Sequence, residues 1–260
     1  MIDKRKIKKR KGDGQTVTLS DVSFLQKGKG KDLVLFHGYL SCKETFAKQV
    51  EYFSRFYRVT ALDFIGFGGS VPLTNPFSVS DYAAWTREVL TLLGVEKPHV
   101  IAHSFGCRVA VKAAASDPEI FDKILLTGAA GVILKRSLAY KIKVKTYRFV
   151  RRFAPKFAER RFGSTEYKTL SPVMKESYKK IVNEDLRADA QKLENPVLIV
   201  QGNADTTTPL KEAQAYLKCI KKGRLIEMNG GHFAFMDDPL TFNLIAEEFF
   251  YDGTCAQSSG

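Results

Sequence analysis

Nowhere in its 260 residues does this chain contain the roughly 18 or more consecutive apolar residues that a membrane-spanning helix requires. Its opening, MIDKRKIKKRKGDG, is basic but runs on into polar residues, so the apolar core of a secretory signal is missing. Four cysteines (Cys42, Cys107, Cys219 and Cys255) show neither C-x-x-C pairing nor metal-ligand spacing. Free thiols and no leader make the cytoplasm the expected compartment. The acids are scattered, and there is no HxxxH-type pair, no Walker loop and no complete G-x-G-x-x-G fingerprint. No metal and no organic cofactor are therefore expected. Internal repeats are absent too, which excludes a solenoid or propeller.

What is present is the composition of an ordinary soluble protein, with 44% apolar and 27% charged residues in a length that suits one large domain. The net charge of +13 is unevenly spread. Residues 1–13 hold seven Lys/Arg against two acids, and residues 134–190 hold sixteen against six. Elsewhere the chain is slightly acidic. Charge alone would allow nucleic-acid binding, but no recognised binding module accompanies it, and that reading is disfavoured.

Short apolar runs recur as strand candidates: LVLFH (33–37), YRVTALD (57–63), HVIAH (99–103), KILLTG (123–128), PVLIVQG (196–202) and RLIEM (224–228). Most lack polar/apolar alternation, as expected of strands buried on both faces. Helical patterns fall between them, around 43–54, 78–93, 105–116, 209–220 and 238–250. Residues 15–28 do alternate and read as an edge strand or hairpin. The order of elements predicts an α/β fold with a mostly parallel central sheet flanked by helices. Residues 134–190 break the alternation and are read as a helical cap inserted between two sheet strands. The expected organisation is a basic N-terminal segment (1–14), a core (15–133 and 191–252), the cap (134–190) and a polar tail (253–260).

Ser104 stands at the join between HVIAH and an Ala-rich helix, in Ala-His-Ser-Phe-Gly, a near match to G-x-S-x-G. A strained strand-to-helix turn needs small neighbours, and Ala102 and Gly106 meet that need. The alternative for such a serine is a helix N-cap. A serine nucleophile also needs a base and a group to orient it. Asp205 follows PVLIVQG, and His232 lies in a Gly-flanked loop after RLIEM. The order Ser, Asp, His, each just past a strand end, nominates all three as catalytic. The backbone N–H groups of Phe105 and Tyr39 are the candidate oxyanion donors. His37 is read as a structural loop residue and Cys107 as a small packing residue.

These motifs carry a resemblance. HG at 37–38, DFIGFGGS at 63–70, AHSFG at 102–106, GNADTTTP at 202–209 and GGHFAFMDDP at 230–239 are similar to those of the α/β-hydrolase superfamily, specifically single-domain serine hydrolases with a helical lid. The resemblance covers about residues 15–251, with Ala102 a departure from the usual Gly. It implies Ser104 as nucleophile, His232 as general base, Asp205 as its orienter and Asp63 as a turn organiser. Relatives of this fold that carry Asp at the elbow, the dehalogenases and epoxide hydrolases, are excluded by Ser104.

The expected activity is hydrolysis of a carboxylic ester through an acyl-serine. The alternatives are the same residues acting on a C–C, thioester or amide bond, or a non-catalytic ligand-binding member of the fold. The expected partner is an apolar or amphiphilic small-molecule ester. A cationic stripe of Lys141, Lys145, Arg148, Arg152 and Lys156 beside apolar Ile142, Phe149, Phe153 and Phe157 adds peripheral contact with an anionic membrane surface as an expectation.

Overall fold

A computed structural model describes residues 17–134 and 170–251. The basic N-terminal segment, the 141–157 stripe and the polar tail lie outside the described residues. Seven strands form one sheet: β1 Phe24–Lys27, β2 Asp32–Phe36, β3 Arg58–Leu62, β4 His99–His103, β5 Ile124–Thr127, β6 Val197–Gly202 and β7 Gly223–Met228. Their spatial order is β1-β3-β2-β4-β5-β6-β7. All neighbouring pairs are parallel except β1, which runs antiparallel to β3. The helices are α1 Ala47–Phe53, α2 Val79–Leu92, α3 Phe105–Ser116, α4 Pro172–Val182, α5 Arg187–Ala190, α6 Leu210–Leu217, α7 Ala234–Asp237 and α8 Pro239–Phe250.

Every residue of β2, β4, β5 and β6 is buried. The pleat sends alternate side chains to opposite faces. Val34, Phe36, Val100, Ala102 and Ile199 join the core beneath α2 and α3, while Leu33, Leu35, Ile101, Leu198 and Val200 pack with Phe53 of α1 and Phe242 and Phe250 of α8. Both faces are therefore covered, which is why these strands read as continuous apolar runs.

Local chemistry sets the element ends. Ser78 and Asp81 form a capping box at the start of α2. Its end is a Schellman motif: Gly94 takes φ +61°, its N–H bonds Thr91 O, and the Val95 N–H reaches back to Leu90 O. Among the described residues of this stretch, 17–28, Phe24–Lys27 forms an edge strand paired with β3 rather than a hairpin. Before it, Leu19–Asp21 forms a 3₁₀ turn because Asp21 Oδ2 accepts from both the Thr18 N–H and its hydroxyl. Such local bonds compete with a ladder.

Strands β5 and β6 are parallel neighbours, with Ile124 beside Val197. The chain between them leaves the sheet after one strand and returns at the next. Its described final part is helical: α4 lies over the carboxyl ends of the strands, and α5 packs against α3, where Lys112 Nζ donates to Asp189 Oδ2 at 2.9 Å. At α4, Tyr39 Oη donates to Met174 O at 3.1 Å, and the Phe77 N–H donates to Ser177 Oγ at 3.0 Å. Among the described residues no helix is long and apolar enough to cross a membrane.

Candidate active site

Ser104 begins at the C-terminal end of β4 and is followed at once by α3. Its backbone has φ +49° and ψ −106°, a conformation that residues with a Cβ rarely adopt. Neighbouring contacts hold it there. The Ser104 N–H donates to Thr127 O of β5 at 3.0 Å, and the Cys107 N–H donates to Ser104 O at 3.1 Å. Gly106 faces β2 so closely that a Cβ would stand 2.4 Å from Phe36 O. Ala102 is fully buried, so the one departure from the usual Gly is accommodated inside the sheet. Ser104 thus sits at the N-cap position without using its side chain as a cap.

That side chain has another partner. Ser104 Oγ lies 3.0 Å from Nε2 of His232, in the loop after β7. His232 Nδ1 lies 2.8 Å from Oδ2 of Asp205, in the loop after β6. A carboxylate can only accept, so Nδ1 carries the proton and Nε2 faces the hydroxyl as an acceptor. Asp205 is buried, and burial alone would raise its carboxyl. The bonds from His232 and from the N–H and hydroxyl of Thr208 outweigh that and hold it below the ordinary carboxylate range. Oδ1 accepts the N–H groups of Thr207 and Thr208, and Oδ2 also accepts the Gln201 amide at 2.9 Å.

Two glycines make room. Gly230 takes φ +140° in the His232 loop, which Asp237 of α7 pins by accepting the Gly231 N–H at 2.8 Å. At the end of β5, Gly128 takes φ +54°, and a Cβ there would stand 3.0 Å from His232 Cε1.

Tyr39 and Phe105 also converge. A Cβ at Gly38 would come within 3.5 Å of Ser104 Cβ, so the Gly38–Tyr39 peptide runs beside the elbow. The Tyr39 and Phe105 rings meet edge to face at 5.7 Å.

His37 and Asp63 are structural. His37 Nε2 accepts the Phe64 N–H at 3.1 Å, which leaves Nδ1 protonated and donating to Gly38 O at 2.7 Å. Burial pushes its pKa down to about 4, so it remains neutral and ties the end of β2 to the chain after β3. Asp63 accepts the Lys43 and Gly69 N–H groups and the Lys43 ammonium. Burial opposes its ionisation, and these bonds overcome it. Cys107 is fully buried, its Sγ–H donating to Ala102 O, and burial raises its thiol to about 12.

Some residues at the site escape a reading of sequence motifs. His103 precedes the serine, is buried, and bonds through Nε2 to His232 O at 3.0 Å. Gln201 links Asp205, Thr208 O and, through Oε1, the Ala129 N–H. Thr208 and Arg108 are the others. For His103, Gln201 and Arg108 the signal was a polar residue inside an apolar strand or an Ala/Val helix, where a buried polar group must have a partner. Thr208, in the loop after β6, carried no such mark. Among the described residues no three His, Cys, Asp or Glu side chains are grouped so that they could hold a metal ion.

Residues 32–176, more than half the chain, match the family described as alpha/beta hydrolase fold. The chain belongs to that family. Among curated proteins this α/β hydrolase is 29% identical over 101 residues to the (E)-2-((N-methylformamido)methylene)succinate hydrolase of Acinetobacter baylyi, a match spanning 39% of this chain and only 38% of that protein. A longer match, 24% identical and covering 88% of this chain and 94% of the other, is to a pyrrolizixenacetamide deacetylase of Xenorhabdus hominickii. Among solved structures, an esterase from Exiguobacterium antarcticum superposes with a TM-score of 0.71 at 21% identity, covering 88% of the α/β hydrolase and 94% of that chain. That likeness is one of fold.

Proposed function

We propose that the protein hydrolyses carboxylic esters through an acyl-enzyme on Ser104. The observation that carries the reading is the continuous row from Ser104 Oγ through His232 to Asp205, at 3.0 and 2.8 Å, on a positive-φ elbow. A helix-cap serine would need neither the strain nor the imidazole. In the proposed reaction Ser104 Oγ attacks the ester carbonyl carbon while His232 Nε2 takes its proton. Asp205 stabilises the resulting imidazolium. The N–H groups of Tyr39 and Phe105 receive the oxyanion. Collapse expels the alcohol, which takes the proton from Nε2. Water, deprotonated by the same nitrogen, then attacks the acyl carbon and releases the acid and free Ser104.

A cavity of about 1120 Å³ opens onto this row, ample for a small-molecule ester. Tyr39, Phe233 and Ile133 give it apolar wall, and Arg108, Lys211 and Glu212 give it a charged one. The deacetylase from Xenorhabdus favours a second reading, in which the bond cleaved is an amide. A fluorophosphonate probe tests the shared chemistry, because only an activated serine is labelled. Labelling that disappears in Ser104→Ala supports it, and no labelling of the native protein refutes it. Matched p-nitrophenyl esters and p-nitroanilides of rising acyl length then decide between the two bonds.

A further inference from the structure

Arg108 lies one turn of α3 beyond Ser104, borders the same cavity and is only 8% exposed. A buried guanidinium keeps its charge and brings five N–H donors. Nη1 donates to Ile181 O at 3.0 Å and Glu184 O at 2.8 Å, at the C-terminal end of α4, where a cation is favoured. That strut uses one nitrogen. Among the described residues Nε and Nη2 make no hydrogen bond, and the Arg108 side chain lines the cavity.

No carboxylate among the described residues lies within salt-bridge distance of the guanidinium. The nearest candidates are engaged elsewhere. Glu184, whose carbonyl Arg108 holds, pairs its own side chain with Lys112 at 2.7 Å, and Asp189 pairs with the same ammonium at 2.9 Å. Glu212 is on the cavity wall, where burial raises its carboxyl; Arg108 acts on it in the opposite direction through space, without an ion pair. Glu184 and Glu212 act on the guanidinium through space, but among the described residues no carboxylate touches it. A buried cation without a contacting counterion is costly unless something that visits the site supplies one. The free Nε–Nη2 edge is the geometry that takes both oxygens of a carboxylate side by side.

We infer that Arg108 is the anion-binding group of the Ser104 cavity, and that the substrate carries a carboxylate bound along the Nε–Nη2 edge while its scissile carbonyl sits at Ser104. The inference rests on the proposed hydrolase reading for the identity of the scissile bond, but not for the anion site itself.

The test compares p-nitrophenyl hexanoate with its acidic counterpart, the mono-p-nitrophenyl ester of adipic acid, through the ratio of kcat/KM for the acidic to the neutral ester. Arg108→Gln should lower that ratio about 10- to 100-fold, the value of one charge-assisted bidentate contact. Arg108→Lys keeps the charge without the fork and should fall between. A folded Arg108→Gln whose ratio stays within about twofold of the native value overturns the inference, because a mere strut for α4 would affect both esters alike. Should neither variant fold, the native protein decides: adipate must inhibit competitively and neutral adipamide must not, and no inhibition by adipate overturns the inference. If the native protein cleaves neither ester, it is the hydrolase reading that fails. Calorimetric titration with adipate then tests the anion site separately: binding lost in Arg108→Gln supports it, and no binding to the native protein overturns it.

Discussion

At the end of β4 position is set by the main chain, and at the ends of β6 and β7 side-chain hydrogen bonds are added to a close main-chain approach, that of Gly202 to Gly231 O. Ser104 is held by its own φ of +49°, by a bond to Thr127 O and by the bare approach of Gly106 to Phe36. His232 and Asp205 are held by Thr208, Gln201, His103 and Asp237, each through a hydrogen bond. In the proposed reaction the nucleophile must occupy a strained turn, which backbone contacts over-determine. The base must receive and release a proton without moving, and a hydrogen-bonded frame of fixed dipoles allows that. One region should therefore fail by steric clash, and the other by altered chemistry in an intact fold.

The largest effect expected is in Ser104→Ala, which should lower ester turnover by about 10⁴-fold or more with an unchanged melting temperature, since members of such a row act as a unit. Activity within about tenfold of the native rate would remove Ser104 from the mechanism. Asp205→Asn comes next, at about 10³- to 10⁴-fold, because an amide favours the wrong imidazole tautomer. The Thr207 and Thr208 N–H groups still have an oxygen to bond, so its circular dichroism should match the native protein. A normal rate at neutral pH would show that another group orients His232.

Gly106→Ala probes the other region. Its Cβ would stand 2.4 Å from Phe36 O and 2.9 Å from His37 O, and main chain cannot move aside cheaply. A loss of at least about 2 kcal/mol in urea unfolding is expected, with activity falling alongside. Native stability in this variant would contradict the close approach.

How much of this was legible in the sequence follows the same division. Backbone devices leave strong marks: the buried strands were continuous apolar runs, the elbow was Ala-His-Ser-Phe-Gly, and Gly94 marked the end of α2. Asp205 and His232 were legible from their place after strands. Gln201 and His103 were not, because a polar residue in VLIVQG or HVIAH reads as an interruption until its partner in another loop is known. The alternation over 15–28 predicts an edge strand or hairpin throughout, and conceals the Thr18–Asp21 bonds that turn the chain. The short α7 was missed for a similar reason: one turn is too brief to show a period, and it is fixed by the contact between Asp237 and Gly231.

The smallest effect expected separates the two regions by pH. Burial lowers His103 from 6.5 to about 3, the neighbouring His232 adding to this. A histidine whose folded pKa lies below its unfolded value contributes its full stability above 6.5, and that contribution is lost as pH falls from 6.5 toward 3. Stability should thus decline on acidification, by up to about 1.4 kcal/mol per pH unit for each such group. His103→Gln keeps a donor for His232 O but does not titrate, so its unfolding free energy should depend on pH by about one proton less between pH 6 and 4. An unchanged slope would mean that His103 is not held neutral.

Cys107, three residues from Ser104, bears on how any covalent adduct at this site is interpreted. With the thiol near 12, only about one molecule in 10⁵ would present a thiolate at pH 7, and the sulfur is enclosed by β4 and α3. Iodoacetamide or a maleimide should therefore pass Cys107 by in the native state and react with the partly exposed Cys42 and Cys219. An electrophile that modifies the peptide spanning Ala102–Arg108 in the folded protein has missed the buried sulfur, and fragment ions then separate Ser104 from His103. Mass spectrometry of that single peptide distinguishes serine chemistry from adventitious alkylation without any mutation.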